Sequence, residues 1–361
     1  MDYTPLDLNS LSAEAQRALG SGPGKMMAAR GMAPLANPVD LLSVLYQLCI
    51  DADPKLADAA RGSAKALPAK ILTGALAEVS LDPRVIDFFI RQADAGAALV
   101  ETVILNKNTA DETIARLAAG ADSRLVDVIA DNSLRVLRHP EIIAALYTNK
   151  NARMSTVDRV VELAVRNDVK VPGIAAWDEV CVAVLQASRG EEPKMDHAAM
   201  DALFERVAPD SADEDADVDI DVPAEKQELQ IRDMTIPMKI RLAMMGNKFQ
   251  RNQLIKDPKK IVALAVIKSP SVKENEAAKY ASNNAICEDV IGYIANKKDW
   301  TKLYHVKQAL VANPKCPLPA AMRLLPHLRA KDLQALARSR NVPSALSAQA
   351  KKLTAARGSK K

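Results

Sequence analysis

The feature that most limits what this chain can fold into is a turn that recurs between short amphipathic runs. It reads LNKNTADETIARLAA from Leu105, IKSPSVKENEAAKYA from Ile267 and ANPKCPLPAAMRLL from Ala312. Aligned on Asn106, Lys268 and Asn313, each copy shows a helix end, two turn residues and a small polar or thiol residue three positions on: Thr109, Ser271, Cys316. That spacing predicts an N-cap at the third position. Thr109 with Glu112 and Ser271 with Glu274 fit the capping box, in which hydroxyl and carboxylate satisfy exposed backbone amides. Pro317 suits the first helical position, and Asn106 and Asn313 suit the left-handed residue that ends a helix. Looser copies begin at Thr148 and Ser339.

Between the turns, apolar residues fall at helical spacing. Leu41, Leu42, Leu45, Leu48 and Cys49 make one stripe, and Ile71/Leu72/Leu76/Val79, Val85/Phe88/Phe89, Ile114/Leu117 and Leu125/Val128/Ile129 make others. Helices this short are marginal alone and must bury their stripes on neighbours. With 13 Gly and 3% aromatics, the apolar surface is small and aliphatic, which favours an all-α class. Asn106 to Asn149 is 43 residues and Lys268 to Asn313 is 45. About 40 residues per helix pair predicts an α-solenoid of HEAT-like helical repeats in two segments, with a single closed bundle as the alternative.

Charge divides the chain. Residues 191–228 hold 14 acidic and 3 basic residues, net −11; residues 229–361 hold 26 basic and 8 acidic, net +18; residues 1–190 carry −3. The expected organisation is a flexible lead-in over 1–36, a repeat segment over 37–188, an acidic disordered linker over 189–230, a basic repeat segment over 231–353 and a basic tail over 354–361. The first residues lack a basic start followed by an apolar core, no uncharged run approaches a membrane span, and the four cysteines are widely scattered. These features predict a cytoplasmic protein with no membrane partner.

GNKFQRNQLIKDPKKIVALAVIKSP, YIANKKDW and ALVANPKCPLPAAMRLLPHLRAKDLQALARSRNVP, within residues 241–353, resemble an uncharacterised family of bacterial helical-repeat proteins in the style of leucine-rich-repeat variants and HEAT repeats. The resemblance implies a helical-repeat fold and transfers no catalytic residue.

Motifs with chemistry are few. GSGPGK at 20–25 lacks the first glycine, the hydroxyl and the strand of a phosphate-binding loop. Cys287, His305, Cys316 and His327 lack the close pairs of a zinc site. Asp217, Asp219, Asp221, Glu225 and Glu228 match calcium-loop positions, but Val222 stands where that loop needs Gly. No catalytic, cofactor-binding or metal site is expected, and the chain reads as a non-enzyme. The positive signal is basic: Lys248, Arg251, Lys256, Lys259, Lys260, Lys297, Lys298 and Lys302, with Lys307, near Phe249, Trp300 and Tyr304, are candidate polyanion-binding residues. The expected function is a protein–protein interaction scaffold or adaptor without cofactors. The alternative is a nucleic-acid-binding solenoid whose acidic linker competes for the basic segment. The oligomeric state is left open.

Overall fold

The computed structural model describes residues 3–20, 23–92, 96–188, 197–207 and 230–358, and among them every regular element is helical. Two compact units divide at Ala152/Arg153. The first holds α1 (Ala13–Leu19), α2 (Pro23–Ala29), α3 (Pro38–Cys49), α4 (Pro54–Lys65), α5 (Ala69–Ala77), α6 (Pro83–Gln92), α7 (Ala97–Leu105), α8 (Asp111–Ala118), α9 (Ser123–Asp131), α10 (Ser133–Arg138) and α11 (Glu141–Thr148). Alternate helices pack on one another: α1 on α3, α3 on α5, α5 on α7, α7 on α9. The predicted stripe of α3 is the centre of this core, with Leu42, Leu45, Leu48 and Cys49 buried against Leu76, Ile86 and Phe89. Val79 leaves its expected stripe. It lies beyond the end of α5 and is 56% exposed.

Over its described residues the lead-in forms two short helices and packs onto the core of the first unit. Ser12 Oγ accepts from Ala15 N at 3.1 Å to cap α1, and Ala15, Ala28 and Ala29 are buried. Gly31, at φ 69°, closes α2 in the left-handed conformation, with Met32 N–H reaching Met27 O. Gly20, Pro23, Gly31 and Pro38 therefore stand at helix ends, and alanine, being small, lets the short helices approach closely.

The second unit holds α12 (Met154–Arg166), α13 (Trp177–Ser188), α14 (His197–Val207), α15 (Ile236–Met245), α16 (Lys248–Leu254), α17 (Lys260–Lys268), α18 (Glu274–Ser282), α19 (Glu288–Asn296), α20 (Lys298–Thr301), α21 (Tyr304–Ala312), α22 (Leu318–Leu324), α23 (Ala330–Arg338) and α24 (Ser344–Gly358). Here α15 packs on α17, α17 on α19, α18 on α21 and α19 on α22.

The division differs from the expected one at the acidic stretch, because α13 packs on α15 and α17. Lys268 Nζ donates to both oxygens of Glu179, at 2.8 and 2.9 Å, so residues 153–188 belong with the helices beyond that stretch. Nor is the whole of 189–230 without structure: α14 places Phe204, 4% exposed, under the fully buried Arg241 guanidinium at 4.6 Å. The acidic composition of that stretch masks this one apolar anchor. Residues 189–196 and 208–229, including the calcium-like positions, lie outside the described residues. The basic tail also begins later than expected, since α24 runs to Gly358.

The turn itself is built differently from its expected form. Asn106 and Asn313 adopt extended conformations, at φ −69° and −83° with ψ 121° and 124°, not left-handed ones. Their side chains explain why. Asn106 Nδ2 donates to Leu76 O at 2.8 Å and Glu78 O at 3.0 Å, while its Oδ1 accepts from Asn108 N. Asn149 repeats this with Ala118 O, Ala121 O and Asn151 N, and Asn313 with Ala281 O and Lys315 N. Ser269 Oγ donates to Met244 O at 3.2 Å. All four are buried. Each satisfies a carbonyl left open where an earlier helix of its unit ends. The residue two positions on adds a second rung: Asn108 Nδ2 to Leu81 O, Asn151 Nδ2 to Ala121 O, Lys315 Nζ to Ile286 O.

Thr109, Ser271 and Cys316 are not N-caps. Thr109 Oγ1 donates back to Val103 O at 2.6 Å, and Ala110 precedes α8. Lys273 precedes α18, where its N–H is accepted by Glu276, not Glu274. Cys316 is buried, and Pro317 stands at the cap of α22.

Candidate binding surfaces

The eight candidate polyanion residues do not share one environment. Arg251 is internal: its guanidinium grips Glu276 through Nη2 at 3.0 Å and Nε at 3.3 Å, and Nη1 donates to Gly246 O at 2.8 Å. Tyr280 OH completes this buried group on Glu276 at 3.2 Å, and burial, then the carboxylate charge, pushes its phenol well up. Arg251 is therefore removed from any solvent-facing site; its expected role fails because a carboxylate 25 residues away folds onto it.

Lys248, Lys256, Lys259, Lys260, Lys298 and Lys302 are exposed, and Lys297 is half-buried. Two of these cations are partly neutralised. Lys260 pairs with Asp289 at 3.0 Å and Lys302 with Asp299 at 2.8 Å, and each hydrogen bond raises the lysine's pKa. Lys297 lies 3.7 Å from the Trp300 ring centroid, so the buried indole serves as its cation–π floor. The Lys260–Asp289 pair joins the first turns of α17 and α19, whereas Lys297 and Lys298 follow the far end of α19. At ~1.5 Å per residue, the two lysine groups stand about a helix length apart. Tyr304 is engaged too: Arg329 stacks on its ring at 4.5 Å, its hydroxyl bonds Asp332, and burial followed by that bond raises its pKa.

A second basic group lies outside the residues expected from sequence. On α23, the turn after it and α24, Lys331, Arg338, Arg340, Lys351 and Lys352 are exposed, and no carboxylate among the described residues lies in ion-pair range of them. Asp332, the single acidic residue between 323 and 358, is held by Tyr304 and Gln308. Lys331 and Arg338 are seven apart on α23, so they share a face. Its signal in the sequence is that near-absence of Asp and Glu, which is independent of the paired lysines near aromatics.

Burial decides the chemistry of the thiols. Burial pushes Cys49 and Cys316 up to about 11, which keeps both protonated and unreactive near neutral pH. Lys25 of the GSGPGK stretch pairs with Asp51 at 2.6 Å. His305 and His327 are exposed, and among the described residues no group of three or more His, Cys, Asp or Glu is placed to hold a metal ion. Comparison with family models, with curated proteins and with solved structures finds no match to this chain.

Proposed function

We propose that this protein is a non-catalytic helical-repeat scaffold that binds another protein. The observation that carries the reading is the ladder of buried side chains at helix ends: Asn106, Asn149, Ser269 and Asn313 each tie a helix to the end of an earlier one in the same unit. Repeating that tie stacks helices in register, as an α-solenoid of HEAT-like repeats requires, and stacked helix pairs offer a long surface for a partner. Interior charges are consumed in pairs such as Arg251–Glu276 and Lys268–Glu179, which suits a framework better than a reacting centre. Affinity purification of the full chain at moderate salt, followed by reconstitution with the purified partner, tests the reading. A stoichiometric complex supports it; a chain that retains only nucleic acid refutes it.

Lys331, Arg338, Arg340, Lys351 and Lys352 support a second reading, a polyanion surface on the last two described helices. Binding there would fall steeply with salt, because each neutralised phosphate releases condensed counterions. Replacing these five residues by Gln should then remove nucleic-acid retention, while the equivalent change at Lys256, Lys259 and Lys298 separates this surface from the one expected from sequence.

A further inference from the structure

The segment before α1 crosses α3 and α6 as an extended strap, held in the manner of a bound peptide. Tyr46 OH donates to Thr4 O at 2.9 Å, Gln47 Oε1 accepts from Leu6 N at 2.8 Å, and Arg84 Nη1 reaches Thr4 Oγ1 at 2.9 Å and Pro5 O at 3.0 Å. Most of these bonds are to backbone atoms, which any extended sequence carries. Arg84 is in turn fixed by Asp82 at 2.8 Å. Two side chains anchor the strap. Leu6 is 5% exposed, and the Tyr3 ring packs edge-on against Phe88 at 5.3 Å and Tyr46 at 6.2 Å, with its hydroxyl donating to Asp87 Oδ2 at 3.1 Å. Thr4 and Pro5, between the anchors, are exposed.

The receiving face does not depend on the strap for its charge balance. Asp87 has no exposure, yet it keeps Thr113 Oγ1 at 2.8 Å, Arg91 Nε at 2.8 Å and Arg116 Nη2 at 3.0 Å without Tyr3. A phenol anchor, a polar backbone clamp and an aliphatic anchor thus follow one another across α3 and α6.

We infer that the α3/α6 face is a peptide-binding groove for an extended Tyr-x-Pro-Leu segment of another protein, with residues 3–6 of this chain as its resident competitor. The inference rests on the scaffold reading and names the partner chemistry of one of its surfaces. A tethered strap acts at an effective concentration of up to about millimolar, so it raises the concentration at which a free segment binds. Displacement of the strap and capture of the partner are then one exchange.

The test uses the full chain carrying Tyr3→Ala and Leu6→Ala, with a fluorescent peptide of residues 3–9 as probe. The variant should bind the peptide at least about tenfold more tightly than the unaltered chain, and replacing the peptide's tyrosine by alanine should abolish binding. A variant that melts normally yet shows no binding near ~1 mM peptide, or binds regardless of that tyrosine, overturns the inference. Should the variant fail to fold, hydrogen exchange of the unaltered chain decides: a Leu6 amide exchanging faster than those of α3 supports a detachable strap, and equal rates overturn it. A concentration-dependent dimer lost on Tyr3→Ala would seat a second copy in the groove and overturn the foreign-ligand reading. Failure here with a partner bound elsewhere leaves the scaffold reading standing.

Discussion

Each unit holds a buried charge cluster, and the two clusters, Asp87 and Arg251–Glu276, are built in opposite ways. In the first, a carboxylate is the centre: Asp87, with a side chain 1% exposed, draws in Arg91 and Arg116, which are 42% and 34% exposed. In the second, cation and carboxylate are both internal, Arg251 at 5% and Glu276 at 6% exposure. A half-exposed guanidinium that loses its partner can turn to water, whereas a buried one cannot. The contrast teaches that the same kind of interhelical tie tolerates damage differently, according to which partner keeps access to solvent.

The sharpest way to break the comparison is Glu276→Ala. It strands Arg251 and removes the acceptor of Tyr280, so chemical denaturation should show a loss of about 3 to 5 kcal/mol. Asp87→Ala should cost less, about 3 kcal/mol, because its arginines can rehydrate and the lost bonds to the charged group dominate. If the two losses are equal, solvent access of the partner is not the deciding variable.

Acid sharpens the same contrast. Burial alone would raise the pKa of Asp87, but hydrogen bonds from Thr113, Arg116 and Arg91 hold it below the ordinary carboxylate value. Its stabilisation is full above the unfolded value of about 3.9 and drains as pH falls through the folded one. The unaltered chain should therefore lose stability more steeply than Asp87→Asn below about pH 4, as followed by thermal melts across a pH series.

The helix-end ladder gives the next effect. Asn106→Ala leaves Leu76 O and Glu78 O without their donor and should cost about 2 kcal/mol; Asn313→Ala frees the Ala281 carbonyl and should cost about 1. Equal costs would mean that the Asx turn, common to both, is what matters. The smallest effect is expected for Ser271→Ala, within about 0.5 kcal/mol, since its side chain caps no helix.

Much of the fold was legible because it is local. The stripe Leu42, Leu45, Leu48 repeats at helical period from just after Asn37, whereas the helix start at Ser12 fell in the stretch read as a flexible lead-in. The turn was legible as a turn. Its working residue was not, because Thr109 and Ser271 have the spacing of caps and only a neighbouring helix reveals that Asn106 and Ser269 do the bonding. The Asn-Lys-Asn written twice, at 106–108 and 149–151, was the available signal. Of the candidate site, lysine exposure was legible, but the internal place of Arg251 was not, since a formal charge count does not record which carboxylate will fold onto it.

The sequence by itself determined an all-helical chain of short amphipathic segments, because helix period and breaker residues act over a few neighbours. Only the tertiary structure decided that the units divide at Ala152, that Phe204 anchors an acidic stretch and that Tyr3 to Leu6 lies across α3 and α6. Those outcomes depend on partners dozens of residues away, whose pairing no local pattern specifies, and on burial, which turns a surface charge such as Arg251 into part of the core.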